Sequence, residues 1–270
     1  MTKYTDSLFE QALACLKLKV PKQKVEATYA LQDNWVNKTL KINALEPVVS
    51  LPVPGRPDRP ELVGPRDVPR RSFTSLKGRL TLVHAIAHIE FNAINLALDA
   101  VHRFQHMPEQ YYTDWCLVAA EEAQHFTMLS DYLESHGVSY GDFPAHNGLW
   151  EMAVKTDADV LVRMALVPRV LEARGLDVTP GMIDKLQSTG DVQLISILQK
   201  IFYDEIGHVK IGTHWYQYLC RDRGLDPEQT FLELIDKYMQ GAKFGPFEIE
   251  ARIKAGFTEQ ELQSLLDRTC

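Results

Sequence analysis

The chain has 270 residues, of which 45% are hydrophobic and 24% are charged. This length and composition provide for a sizeable buried core and exclude a disordered or fibrous protein. The formal net charge of −7 argues against non-specific nucleic-acid binding, which depends on clustered lysines and arginines, so we expect no nucleic-acid partner. We interpret the single basic cluster as solvated surface; it consists of Arg66, Arg70, Arg71, Lys77 and Arg79.

The cysteines are far apart in the sequence and form no Cys-x-x-Cys pair, which argues against a zinc or iron–sulfur site. Their sparseness and the lack of a secretory pattern in residues 1–20 lead us to expect a cytoplasmic protein. No stretch approaches the ~18 continuous apolar residues of a membrane helix, so we expect no membrane partner. The four cysteines are Cys15, Cys116, Cys220 and Cys270.

The N-terminal part predicts two short helices, residues 5–20 and 22–44, separated by Pro21. Seven of the fourteen prolines then fall between Pro47 and Pro69. Such a stretch cannot form a helix or a central strand, because proline lacks the N–H group that both require. We therefore predict an extended strap that lies over the core or joins an N-terminal arm to it.

A helical period begins after the strap and predicts two long helices. Ser75 is a suitable N-cap for the first, and Pro108 is predicted to end it. The second is predicted to begin at Thr113 or Asp114 and to end at Gly137, which is typical of a helix C-terminus.

A third helical region is predicted from residue 149 to residue 172, ending at Gly175. Pro168 lies inside it, so we expect a kink or break there. Thr179 and Pro180 together predict the start of a short helix.

Asp191 is predicted to begin the fourth long helix, which persists to about Arg223 with Gly224 as its stop. Three short helices follow, the last announced by a capping box of Thr258 and Glu261. Four long helical regions without a convincing strand predict an all-α four-helix bundle with extensions. The predicted domains are an N-terminal arm and strap, a bundle and a C-terminal helical extension, over 1–71, 72–224 and 225–270.

Two segments carry the same Glu-x-x-His pattern, Glu122 with His125 and Glu205 with His208. Residues three apart share one face of a helix, so a carboxylate and an imidazole can bind one metal ion together. One Glu-x-x-His match is expected by chance, but chance gives two matches inside apolar helices far less often. A buried acid and histidine without a partner would cost several kcal/mol, a cost that a bound metal removes.

The other two long helices each offer one glutamate as a further ligand. Glu90 interrupts an apolar run, and Glu172 holds the matching place in the third helical region. Glu90 precedes Glu122 by 32 positions and Glu172 precedes Glu205 by 33, so each pair is predicted to lie at one level of the bundle. The alternative for Glu172 is an exposed acid at a helix end beside arginines.

The predicted set of four carboxylates and two imidazoles suits iron or manganese better than copper or structural zinc. We expect two Fe ions, and Mn/Fe and Mn/Mn pairs are also compatible with the set. Glu121 and Asp204 each precede a predicted ligand and are candidates to orient a ligating histidine from the opposite helix.

Other polar residues allow more than one interpretation. His84 and His88 lie four apart and are better explained as core or pocket-wall residues than as ligands. The loop after the second long helix either closes a substrate pocket or only forms a turn. Its polar residues are Tyr140, Asp142 and His146.

Several long segments resemble the DUF455 family, from about residue 70 to the C-terminus. They are HAIAHIEFNAINLALDA, EEAQHF, YGDFPAHNGLWE, ALVPRVLEARGLDVTPGM, DEIGHVKIG and GPFEIEARIKAGFT. The resemblance implies a ferritin-like bundle and carries a metal-ligand pattern onto the six residues already named. It implies no reaction. The implied ligands are Glu90, Glu122, His125, Glu172, Glu205 and His208.

The favoured hypothesis is an O2-activating di-iron oxidoreductase, of monooxygenase or oxidase type, that hydroxylates or otherwise oxidises an organic substrate not identified by the sequence. Its expected partners are a small molecule or O2 and an electron-donor protein, and a homodimer is compatible. The alternatives are a ferroxidase or other metal-handling protein, and a binding protein that keeps the bundle without the chemistry.

Overall fold

The computed structural model describes residues 6–42, 47–69, 71–241 and 245–269. Within these ranges the chain is helical with only isolated bridges and no strand, which confirms the all-α class. None of the helices in these ranges is both long and apolar enough to cross a membrane. The chain divides into two compact units, Met1–Val154 and Lys155–Cys270.

The first unit begins with helices α1, Leu8–Lys17, and α2, Pro21–Val36. The predicted break at Pro21 is confirmed, since proline is the first residue of α2. The predicted extension to residue 44 is wrong, because α2 ends at Val36 and Lys38 then adopts a left-handed φ of 57°. Residues 43 and 44 of that prediction lie outside the described ranges.

The proline-rich residues 47–69 form neither helix nor strand, as predicted, and lie against the first unit. The N–H of Gly55 donates to the carbonyl of Leu16 at 2.9 Å, and a Cβ at residue 55 would collide with the end of α1. Further along, the N–H of Val63 donates to the carbonyl of Ala145 at 2.9 Å. The strap is thus fixed to the unit at two points along its length.

Helix α3, Leu76–Arg103, is the most buried helix of the first unit. Its predicted N-cap is confirmed, since the Ser75 hydroxyl accepts a hydrogen bond from the N–H of Gly78 at 3.2 Å. The predicted end at Pro108 is too late, because α3 stops at Arg103.

Helix α4, Glu109–Ser135, begins earlier than the predicted Thr113 or Asp114 because Pro108 is its N-cap. Proline is tolerated there, since the N–H groups at a helix start have no intrahelical partner. The predicted end is confirmed by Gly137, whose φ of 73° stops the helix. Helix α5, Gly148–Lys155, follows α4.

A buried lysine joins the first three helices. The ammonium of Lys24 donates to the carbonyls of Leu16 and Cys15 at 2.8 and 3.1 Å and to Asn95 Oδ1 at 2.6 Å. Burial lowers the pKa of Lys24 to about 7. These bonds satisfy carbonyls at the end of α1 and fix the middle of α3, where the candidate site lies.

The second unit begins with α6, Val160–Leu166, followed by a π-helical segment, Val167–Glu172. The continuous helix predicted over residues 149–172 is wrong, because Asp159 starts a new helix by accepting a hydrogen bond from the N–H of Leu161 at 2.8 Å. The disruption predicted at Pro168 is confirmed and takes the form of the π-segment.

The π-segment continues directly into α7, Ala173–Gln187. The predicted stop at Gly175 and the predicted start of a short helix at Thr179 and Pro180 are both wrong, since α7 contains all three residues. Burial of the apolar face of α7, which includes Leu176, outweighs the local preference of glycine and proline for helix ends.

Helix α8, Val192–Asp222, is capped by Asp191 and followed by Gly224 at φ 64°, as predicted. Three short helices follow, with the predicted capping box of Thr258 and Glu261 present at the last. The division into arm, bundle and extension remains a prediction. The short helices are α9, Pro227–Tyr238, α10, Ile249–Lys254, and α11, Glu259–Leu266, which leads into a 3-10 turn, Asp267–Thr269.

Candidate metal centre

Three predicted ligands meet between α3 and α4. His125 Nδ1 lies 3.4 Å from Glu90 Oε2 and 3.3 Å from Glu122 Oε2. All three side chains are buried, and each offers a donor atom within 4.8 Å of the other two. The first unit therefore contains a compact group of two carboxylates and one imidazole.

The helix hairpin explains this meeting. Glu90 lies thirteen residues before the last residue of α3, and Glu122 lies thirteen residues after the first residue of α4. Two long helices joined by a short loop run antiparallel, so these positions lie at the same level. His125 follows Glu122 by three residues and therefore projects from the same face of α4.

Burial of this group makes it unfavourable for both carboxylates to be ionised without a bound cation. Burial raises the pKa of Glu90 well above its usual value, and the neighbouring Glu122 carboxylate raises it further, whereas His125 lowers it. Two adjacent buried acids cannot both ionise without a compensating cation. A metal ion would supply that compensation.

The second Glu-x-x-His pair lies on α8. His208 Nδ1 is 3.8 Å from Glu205 Oε1, and the two side chains are 1% and 9% exposed. Ile201 and Val209 on the same helix are also buried. The second unit thus repeats the buried Glu-x-x-His pair of the first on its own long helix.

Glu172 is half-buried and is the last residue of the π-segment. The arginines that could have paired with it as a helix-end acid have other partners. Arg169 donates to Glu261 at 2.6 Å, and Arg174 donates to the carbonyl of Gly245 at 2.9 Å. Its role as a ligand remains a prediction.

The proposed orienting acids are both half-buried. Asp204 pairs with Lys200, one turn earlier on α8. The orienting roles of Glu121 and Asp204 remain predictions.

Five of the six predicted ligands have the donor chemistry and burial to hold a metal ion: Glu90, Glu122 and His125 in the first unit, and Glu205 and His208 in the second. Oxygen donors from carboxylates combined with imidazole nitrogen suit a transition metal such as iron or manganese.

The family relationship follows from the sequence as a whole. Residues 17–263 match the family described as a protein of unknown function, DUF455. The chain belongs to the DUF455 family. An uncharacterized protein of Haemophilus influenzae is 44% identical in sequence, over 97% of this chain and 94% of its own length. No solved structure matches the chain.

The two histidines before Glu90 in this DUF455 chain are buried core residues, as predicted. His84 Nε2 accepts a hydrogen bond from the N–H of Gly141 at 2.8 Å, and His88 Nδ1 lies 2.8 Å from the hydroxyl of Tyr140. Burial lowers the pKa of each histidine to about 4, so both are neutral at pH 7. They fix the loop after α4 instead of adding to the ligands.

Sequence reasoning missed a buried arginine in the second unit of this DUF455 protein. Arg169 is fully buried among aromatic rings, although the sequence indicated only that it neighbours Glu172. Its partner Glu261 lies 92 positions away, so no local pattern pointed to the pair. The one available signal was an arginine at a helix position otherwise flanked by apolar residues.

Proposed function

We propose that this DUF455 protein is a ferritin-like di-metal carboxylate protein that uses iron to activate O2 for the oxidation of an organic substrate. The observation that carries the proposal is the buried group of Glu90, Glu122 and His125. The same Glu-x-x-His pair, Glu205 and His208, recurs on α8.

In this proposal Glu172, Glu205 and His208 complete the ligand set. The nearly equal Glu-to-Glu spacings in the two halves of the sequence support it, as does the burial of Glu205 and His208. A glutamate from each of two helices and a Glu-x-x-His from each of two others is the donor pattern of di-iron bundles. Four carboxylates would also neutralise two divalent cations.

The protein's own residues would supply rigidity and a dry environment. Glu122 and His125 project from successive turns of one long helix, so their spacing changes little when an ion binds. The rings of Phe91 and Phe126, 5.3 Å apart, help to exclude water from this region. Loading requires an ionised Glu90 and a free lone pair on His125, and it therefore releases protons. When bound, two ferrous ions supply electrons for the reduction of O2.

Metal content tests the centre. Protein purified from its native host should contain about two Fe or Mn per chain by mass spectrometry. The isosteric changes Glu90→Gln and Glu205→Gln should each remove most of the metal, because each removes a ligand charge. Glu134→Gln changes an exposed acid of α4 and should leave the content unchanged.

The opposite result is equally informative. Wild-type protein without a transition metal, before and after anaerobic incubation with Fe(II), would mean that the buried acids form only a polar network. The binding-protein alternative would then replace the proposal.

Oxygen consumption separates oxidation of a substrate from metal handling. Anaerobic protein loaded with Fe(II) and mixed with O2 should consume oxygen in proportion to its bound iron and then stop until a reductant is added. Continued consumption as excess Fe(II) is supplied would instead identify a ferroxidase. No consumption by fully loaded protein would contradict both activities.

A further inference from the structure

The second unit contains a cavity of about 230 Å³, and none of the predicted metal-ligating residues lines it. Its wall is mainly apolar, yet three arginines also line it. The described lining includes no serine, threonine or lysine. The apolar side chains of this wall include Phe231, Ile235, Met239, Phe247 and Leu265.

Arg169 forms the inner wall. Its guanidinium lies 4.0 Å from the centre of the Phe231 ring and 4.6 Å from those of Tyr216 and Phe257, and its Nη2 donates to Glu261. Nε and Nη1 are buried and have no hydrogen-bond partner among the described residues. Ring faces attract the cation but do not replace a hydrogen-bond acceptor for these N–H groups.

The other two arginines differ in how they are paired. Arg252 makes a closed two-point contact with Asp177, with both N–H···O distances at 2.8 Å. The side chain of Arg174 is 49% exposed, and its nearest acid is the same Asp177 at 3.8 Å. Among the described residues, the three guanidinium groups pair with two carboxylates, those of Asp177 and Glu261, which leaves one positive charge in excess.

We propose that this cavity binds a monoanionic carboxylic acid with an aliphatic body. The aliphatic part would contact the apolar wall, and the carboxylate would accept hydrogen bonds from Arg174 at the rim, with the buried charge of Arg169 attracting it from behind the wall. A planar carboxylate matches the donor fork of a guanidinium. A phosphate dianion would need more charge and more donors than this lining offers.

A purely structural role explains part of the arrangement. The pairs Arg169–Glu261 and Arg252–Asp177 attach α11 and α10 to the π-segment and to α7, and many buried ion pairs do no more than this. That role does not account for the open volume beside the pairs or for the positive charge in excess of the carboxylates that pair with the three arginines. Binding measurements distinguish the two explanations.

The first experiment compares three ligands of equal chain length on the full-length protein by isothermal titration calorimetry: octanoate, octan-1-ol and octylammonium. Octanoate should bind at least about tenfold more tightly than octanol, a ratio equivalent to about 1.4 kcal/mol, and octylammonium should not bind. No binding of octanoate, or equal binding of octanoate and octanol, would overturn the proposal.

Variants then locate the ligand. Arg174→Met should weaken octanoate about tenfold and leave octanol unchanged, whereas Met239→Trp should fill the cavity and abolish binding of both. Arg268→Met removes an exposed arginine paired with Asp236 and is the matched control for charge. Circular dichroism checks that each variant is folded.

If Arg174→Met and Arg268→Met lose the same octanoate affinity, the loss reflects only the overall charge of the protein. If Met239→Trp binds octanoate as tightly as the wild type, the ligand binds elsewhere. Either result rejects the site. The titrations are run on metal-free and metal-loaded protein, so failure of the proposed di-metal centre would not affect the conclusion.

Discussion

His84 illustrates how a titratable side chain is kept in an apolar interior. Its ring lies against those of Tyr140 and Phe143, and its Nε2 accepts the N–H of Gly141. That hydrogen bond requires the neutral ring, and burial lowers its pKa to about 4 although the charge of Asp142 acts in the opposite direction. Protonation would therefore break the contact between α3 and the loop after α4.

The pH dependence of stability follows from this shift. Between pH 6.5 and about 4 the unfolded state binds the proton and the folded state does not, so stability is lost as the pH falls through that window. The unfolding free energy of metal-free wild-type protein, measured in urea, should fall between pH 7 and pH 5. In His84→Gln this fall should be about 1–2 kcal/mol smaller.

His106→Gln, at an exposed position, is the control and should behave like the wild type. An identical loss in wild type and His84→Gln would show that His84 is already protonated in the folded state or makes no contribution.

At the same scale, some site residues could be predicted and others could not. Glu90 was identified because a charge inside an apolar helical run conflicts with its surroundings, and Glu122 because its Glu-x-x-His pattern occurs twice; both are local signals. Arg169 and Lys24 were not identified, because their acceptors lie on other helices and only the folded chain brings them together. Spacing along the sequence carries no information on such contacts.

Among the secondary-structure elements, the π-segment shapes the second unit. Pro168 in this segment packs against α8 at Gly212, where a Cβ would overlap the proline ring. A π-helical turn accommodates the proline without ending the helix. The absence of a side chain at residue 212 is what allows the two helices to approach so closely.

Two glycines of α8 should respond in opposite ways to the same substitution. Gly212→Ala should lower the free energy of unfolding by about 1–3 kcal/mol, because the added methyl group overpacks the contact with Pro168. Gly207→Ala meets no atom within 4 Å and should raise it by up to about 1 kcal/mol, because alanine favours a helix. Urea unfolding of metal-free protein measures both, and two changes of the same sign would contradict this packing.

Helix ends marked by local chemistry were predictable, and ends set by packing were not. Ser75, Asp191 and Thr258 cap their helices through contacts within three residues, so the sequence alone identified them. Gly175 and Pro180 resemble a helix end but lie inside α7, where burial of apolar side chains outweighs their local cost.

For the whole molecule, metal binding should appear as added stability. A ligand that binds only the folded state stabilises it by about 2.7 kcal/mol at a hundredfold excess over its Kd. Mn(II) should therefore raise the melting temperature of the wild type and of Glu134→Gln, but not that of Glu90→Gln. Without metal, Glu90→Gln should be at least as stable as the wild type, because it removes one of two adjacent buried acids.

Calorimetry of the three proteins with and without Mn(II) provides the comparison. A full Mn(II)-dependent shift in Glu90→Gln would exclude Glu90 from the ligands. A metal-free Glu90→Gln protein that is much less stable than the wild type would instead assign the carboxyl a structural role.

The helical class and the family were predictable for the molecule as a whole, since they rest on periodicity and on long motifs. The two compact units were not predicted, because they reflect where contacts concentrate, with a boundary at Val154 and Lys155. The predicted arm, bundle and extension instead follow prolines and helix ends in the sequence.

The contact between Pro168 and Gly212 also restricts how the sequence can diverge. A relative that gains a side chain at the position of Gly212 must give up the proline ring at the position of Pro168, and the reverse change removes the need for glycine. The two positions should therefore covary across the DUF455 family although they are distant in sequence. A family alignment would then record the presence or loss of the π-turn in each lineage as one correlated pair of substitutions.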